Sequence, residues 1–184
     1  VLEPSNGQEA LDFTKYAFEL SEKFDTPVIV RATTRLSHTR SEVKVGARLD
    51  IQPRAFNENP SKNVMIPSNA RNQHPKVLER EALVAEELAN SPLNKVEIND
   101  TSVGVITMGL SYVYVKEVYP EASVLKLASS YPLSEHLVRD FCDQVDRVIV
   151  VEELEPVVEN ALKVMGIKVE GKSLFPRIGE FSPE

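Results

Sequence analysis

The chain has one cysteine, no tryptophan, no apolar run long enough to cross a bilayer and no tract of basic residues. Each absence excludes a class. With Cys142 alone, no intrachain disulfide, thiolate zinc site or iron–sulfur cluster held wholly by this chain can form. The roughly 20 consecutive apolar residues of a transmembrane helix are missing. The first residues carry no charged segment followed by an apolar one, the pattern of a secretory signal. The formal net charge of -7 is spread along the chain, so the electrostatic footprint of a nucleic-acid binder is also missing. The expectation is a cytoplasmic protein without membrane or nucleic-acid partners. Cys142 lies in LVRDFCDQV, where Leu137, Phe141 and Val145 recur at helical spacing, and it reads as a small buried hydrophobe.

What is present is ordinary for one or two small soluble domains: 184 residues, 42% hydrophobic and 27% charged. VLEP at the start reads as the tail of an extended segment, and a chain opening on Val suggests a piece of a longer polypeptide. SNGQ has the form of a capping box with Ser5 and Gln8, opening a helix over 7–24. Two stripes, Leu11/Thr14/Phe18/Ser21 and Phe13/Tyr16/Leu20/Phe24, give that helix a wide apolar sector. FDTP ends it, and PVIVRAT reads as a strand buried on both faces. A helix and strand without sheet partners would pack on the rest of the chain, pair with another copy or fray.

SEVKVG alternates like an edge strand, and the following stretch to residue 75 is rich in proline and asparagine without a usable period. Its length favours a boundary between two bodies. A helix is expected from Pro75, packing through Leu78, Ala82, Ala85 and Leu88 or Ala89. From residue 94 onward, strands KVEIN, VGVITMG, SVLKLA, RVIVVEE and KVEGKS alternate with helices SYVYVKEVY, SEHLVRDFCDQ and PVVENALKVM. That alternation predicts an α/β fold, a three-layer αβα arrangement around a mainly parallel sheet.

Ligands of open parallel sheets bind beyond the carboxyl ends of the strands, so the loops there carry the candidates. At ITMGLS, Gly109 and Ser111 suit a phosphate at a helix start, or form a tight turn with Ser111 as N-cap. In ASSYPLSEH, Ser134 reads as an N-cap, Glu135 as a first-turn acid and His136 as surface decoration. At VIVVEELEP, Glu152 and Glu153 point to opposite faces of the pleat, which leaves active-site carboxylates and helix caps or interface pairs as alternatives. RATTRLSHTR gathers Arg31, Arg35, His38 and Arg40, which could clamp an anion bidentately or cross-link a rim to acidic loops.

VLEPSNGQEALDFTKYAFELSEKFDTPVIVRATTRLSHTR, together with GVITMGLSYVYVKEV, YPLSEHLV and RVIVVEELEPVVENAL, resembles the alpha subunits of indolepyruvate ferredoxin oxidoreductases, members of the thiamine-diphosphate-dependent 2-oxoacid:ferredoxin oxidoreductases. The resemblance implies that residues 1–46 are the end of a pyrimidine-binding domain, 47–75 a linker and 76–184 a transketolase C-terminal-like domain. It implies a parent that oxidatively decarboxylates aryl 2-oxoacids to acyl-CoA and reduces ferredoxin, using thiamine diphosphate, magnesium and iron–sulfur clusters, with a beta subunit as partner. A GDG-type motif, a cysteine-rich tail and the front of the pyrimidine-binding domain do not occur in these residues. The expectation is therefore a fragment with no cofactor, metal or catalytic residue of its own, able to form a homodimer. In related oxidoreductases a Thr/Ser-His element closes the first domain, which makes RATTRLSHTR an inter-domain or inter-subunit rim. The alternative from the residues alone is a stand-alone, non-catalytic α/β domain binding a partner chain or a small anion.

Overall fold

The structure is a computed structural model that describes residues 1–53 and 55–183. The described elements run α1 (Gly7–Phe24), α2 (Thr34–His38), α3 (Pro60–Asn63), α4 (Pro67–Ala89), β1 (Lys95–Glu97), β2 (Asp100–Met108), α5 (Ser111–Val118), β3 (Ala122–Leu127), α6 (Glu135–Cys142), β4 (Val148–Val151) and α7 (Val157–Val164). The strands form one sheet in the order β1-β3-β2-β4. β2 pairs in parallel with β3 on one side and β4 on the other, while β1 runs antiparallel along β3. The expected α/β class with a mainly parallel sheet is what forms.

Pleating separates the two faces. Ile106, Met108, Leu125, Leu127, Val148 and Val150 meet Val138 and Phe141 of α6 and Val158 and Leu162 of α7. Val105, Val124 and Val151 face the other way, toward Val115 of α5 and Phe181. Helices thus cover both faces, as parallel strands buried on two sides require.

The front of the chain docks onto this body through the first three residues. Leu2, fully buried, donates its N–H to Ile29 O at 2.7 Å and accepts from Arg31 N at 2.8 Å, while Glu3 N donates to Ala128 O at 2.9 Å. Around that seam, Phe13, Ala17 and Leu20 of α1 and Val84 and Leu88 of α4 form one cluster with Leu2 and Ala128. Of the two stripes on α1, the one through Phe13 and Leu20 packs, whereas Phe18 is 72% exposed. The helix-strand piece therefore packs on the rest of the chain.

Several local expectations are corrected. The N-cap of α1 is Asn6, whose side chain accepts from Glu9 N, and Glu9 reaches back to Ser5 N and Oγ, so the cap is shifted by one residue. PVIVRAT is not a strand buried on two faces: only Val30 bridges, to Leu2, and Ile29 is largely exposed, because a Val-Ile-Val run signals burial only where sheet neighbours exist. SEVKVG joins no ladder, and KVEGKS contributes one bridge, Glu170 to Ile149. α4 begins at Pro67, with Pro75 inside it. Its first turns are exposed and polar, which erases the apolar period that marks a helix start. Its packing face is turned toward Val84 and Leu88, leaving Leu78 exposed.

Candidate functional site

The strand order reverses around β2. The chain passes from β2 through α5 to β3 on one side, then returns through α6 to β4 on the other. The helices following β2 and β4, α5 and α7, consequently lie on opposite faces, and the loops at the carboxyl ends of these two strands part to leave a crevice. A cavity of about 330 Å³ occupies it, lined by Glu3, Arg31, Thr33, Gly109, Ser111, Ser130 and Glu152 through Glu155, among others. Five of the sequence candidates, Arg31, Gly109, Ser111, Glu152 and Glu153, converge there.

Each charged group in the crevice already has a protein partner. Glu152 is 5% exposed and accepts the N–H groups of Val157, Val158 and Glu159 at 3.1, 2.9 and 2.9 Å, which makes it the anion at the start of α7. Burial pushes its carboxyl above the usual carboxylate range, against the pull of those three amides and of Lys172. Glu153, on the opposite side of the pleat, accepts from Phe181 N at 3.0 Å, and Glu155 pairs with Arg177. Arg31 grips Glu3 through Nε at 3.0 Å and a terminal nitrogen at 2.5 Å. Glu3 Oε2 reaches the turn before α5, 3.6 Å from where a Cβ on Gly109 would stand. Gly109 holds φ at 53°, the left-handed region that bends β2 into α5. Leu110, not Ser111, occupies the N-cap, and Ser111 is the first helical residue with its side chain buried against the crevice.

The other candidates lie elsewhere. Arg35 pairs with Glu180 at 3.0 Å and stacks 5.9 Å from the Tyr114 ring, tying α2 to the C-terminal segment; that pairing raises its pKa further. His38 and Arg40 are exposed at the end of α2. Ser134 caps α6 by accepting from Leu137 N at 3.4 Å, and His136 faces Asp140 on the surface. Glu3, Thr33 and Ser130 are crevice residues that sequence reasoning missed; only the position of Glu3 one residue before a proline and a helix start offered a signal. A second missed group is Lys126, inside the apolar run SVLKL. Its ammonium is buried, ion-paired with Glu9 and set over the rings of Phe13 and Tyr112 at 5.4 and 5.2 Å.

A diphosphate with its magnesium does not fit this crevice. Four carboxylates line it, and the start of α7 is already met by the protein's own Glu152. Among the described residues no three His, Cys, Asp or Glu side chains are grouped to hold a metal ion, and no helix is long and apolar enough to cross a membrane.

Fold and crevice together define an open-sheet α/β protein with a crevice at the point where strand order reverses. Within that class the sequence belongs with the indolepyruvate oxidoreductase IorA subunits. It is 42% identical to the subunit of Thermococcus kodakarensis over 200 aligned residues, which cover 99% of this chain and 31% of the relative. It is 40% identical to that of Archaeoglobus fulgidus over 94% of this chain, and 36% to that of Methanothermobacter thermautotrophicus over all of it. The chain spans about a third of the length of these relatives. No protein-family model matches it. A solved 2-oxoglutarate:ferredoxin oxidoreductase from Magnetococcus marinus superposes at a TM-score of 0.47 with 19% identity, over 58% of this chain and 20% of that one.

Proposed function

We propose that these residues are a structural segment of the alpha subunit of a 2-oxoacid:ferredoxin oxidoreductase acting on indolepyruvate and similar aryl 2-oxoacids. The parent would convert the 2-oxoacid and CoA to acyl-CoA and carbon dioxide, passing two electrons to ferredoxin. Thiamine diphosphate supplies the carbanion chemistry of such reactions. That cofactor, its magnesium and the iron–sulfur clusters would be held outside these residues, in the remainder of the subunit or in a beta subunit. The carrying observation is the 42% identity to an IorA subunit across 99% of this chain.

In this reading the crevice is a junction. Arg31 and Glu3 clamp the RATTRLSHTR segment to the turn at Gly109 and Ser111, while Glu152 and Glu153 hold α7 and the C-terminal segment in place. The saturation of every carboxylate by a local partner supports a positioning role over acid–base chemistry.

The test is a segment exchange. The matching third of a complete IorA subunit is replaced by these residues, the hybrid is produced with its partner subunit, and indolepyruvate-dependent reduction of ferredoxin is measured. Retained turnover supports the proposal, and an assembled but inactive hybrid overturns it. The isolated chain is expected to show no turnover and no heat of binding with thiamine diphosphate and magnesium.

A further inference from the structure

Every described residue from 37 to 68 is exposed, yet this stretch carries Val43, Val45, Leu49, Ile51, Phe56, Val64, Met65 and Ile66. Water-exposed apolar side chains at that density ask for a cover. The first half of the stretch also has a pattern. Val43, Val45, Ala47, Leu49 and Ile51 alternate with Lys44, Gly46, Arg48, Asp50 and Gln52, the period of a strand with one apolar face. The segment nevertheless pairs with nothing in the sheet, and Val45, Leu49 and Ile51 are 65%, 70% and 76% exposed.

One edge of this arm is already engaged. Lys44 N donates to Gln8 Oε1 at 2.7 Å and Lys44 O accepts from Gln8 Nε2 at 3.4 Å, so the backbone groups of Lys44 face α1. In an extended segment the N–H and C=O groups of alternate residues point to opposite edges. Once Gly46 is extended as well, the edge turned away from α1 is that of Val43, Val45, Ala47, Leu49 and Ile51. Lys15 touches it, through Val45 O at 2.8 Å, and a carbonyl has a second lone pair to offer.

The segment complements itself. Set antiparallel to a second copy about Ala47, Val43 stands opposite Ile51, Val45 opposite Leu49, and Lys44 opposite Asp50 of the other chain. The apolar residues fall in hydrogen-bonded pairs, and the opposite charges fall in the closer, non-hydrogen-bonded pairs, where cross-strand ion pairs act best. A shift of register by one residue places apolar side chains against the polar set and loses the match. We propose that residues 43–51 are a dimerisation strand that pairs with the same strand of a second copy of this chain across a two-fold axis. Gly46, at φ 73°, bends the arm in the single chain, and glycine can return to the extended region without steric cost. This inference goes beyond the family assignment and does not depend on it.

Sedimentation of the purified chain across a dilution series tests the pairing, with Lys44→Asp, Asp50→Lys and the double variant alongside. Both sites are exposed, so folding is expected to be unaffected. The native chain is expected to dimerise, each single variant to weaken the dimer at least several-fold by setting like charges opposite each other, and the double variant to restore it to within about twofold. A chain that stays monomeric at all concentrations, the result expected if the arm is covered by other parts of a longer subunit, overturns the proposal. So does a dimer indifferent to the charge exchange.

Discussion

Lys126 and Glu9 form an ion pair inside the molecule, joining the carboxyl end of β3 to the first turn of α1, and the lysine has no exposed surface. Burial pushes the Glu9 carboxyl up, but the Lys126 ammonium and the Ser5 N–H and hydroxyl outweigh that and hold it below the usual carboxylate range. Lys95, 3.3 Å from Glu9, adds a second cation. Removing one partner of a buried pair strands the other, typically at about 3–5 kcal/mol. Glu9→Gln, which leaves the enclosed Lys126 charge uncompensated, is expected to reach that range in urea denaturation. Lys126→Met is expected to lose less, because Glu9 keeps Ser5 and Lys95. Equal losses would mean that the pair does not govern the docking of α1.

Glu152 caps α7 from within the crevice. Glu152→Ala removes the acceptor of three backbone amides, two of those hydrogen bonds buried, and is expected to lower stability by about 2 kcal/mol. Its carboxyl titrates above the ordinary 4.5, so the stability it contributes is fully present below 4.5 and is lost as pH rises through its raised folded value. Glu9, held low, has the opposite sign: its contribution is present above 4.5 and lost as pH falls through its depressed value. The stability of the native chain relative to Glu152→Gln should therefore grow as pH falls from 7 toward 4.5. A difference independent of pH would contradict a raised value for Glu152.

The glycines of β2 and its turn separate two kinds of constraint. At Gly109 the difficulty is conformational: φ is 53° and the nearest atom to an added Cβ is 3.6 Å away, so Gly109→Ala is expected to cost about 1 kcal/mol. At Gly104 it is space, since an added Cβ would stand 2.6 Å from Val145 Cγ2 and 3.0 Å from Phe141 Cε1, pressing α6 off the sheet. Gly104→Ala is expected to cost about 1–3 kcal/mol as overpacking does. Thermal unfolding of both variants ranks them.

Burial pushes the Cys142 thiol up to about 11. With so little thiolate near neutrality, alkylation at pH 7.5 is expected to be on the order of a hundredfold slower than for a free thiol of ordinary pKa, and to accelerate about tenfold per pH unit. A rate matching a free thiol would show that the thiol is not shielded on α6.

Strands and helices after residue 94 were legible because burial on both faces imprints continuous apolar runs, as in VGVITM and SVLKL, and because Ser134 carries its own cap chemistry. The front was less legible. PVIV has the composition of a central strand but meets only Leu2, and nothing local in the sequence records how many neighbours a strand will find. The first turns of α4 are polar all round, so their helicity leaves no period. The grouping of Arg31 with Gly109, Ser111, Glu152 and Glu153 follows from β2 and β4 lying side by side, which sequence order conceals. Glu3 was overlooked because its partner, Arg31, is 28 residues away.

Leu2 has a consequence for the order in which the molecule assembles. Its contact with residues 29–31 closes a short loop, whereas the contact of Glu3 with Ala128 closes one running through most of the chain. Loop-closure entropy grows with the logarithm of length, so the near side of this seam can form early while the far side waits for the sheet. The same logarithm protects it afterward. Doubling the length of the enclosed chain adds only about 0.6 kcal/mol to the closure term. Insertions in the exposed arm between residues 37 and 68 would therefore lengthen the protein while leaving the seam at Leu2 closed.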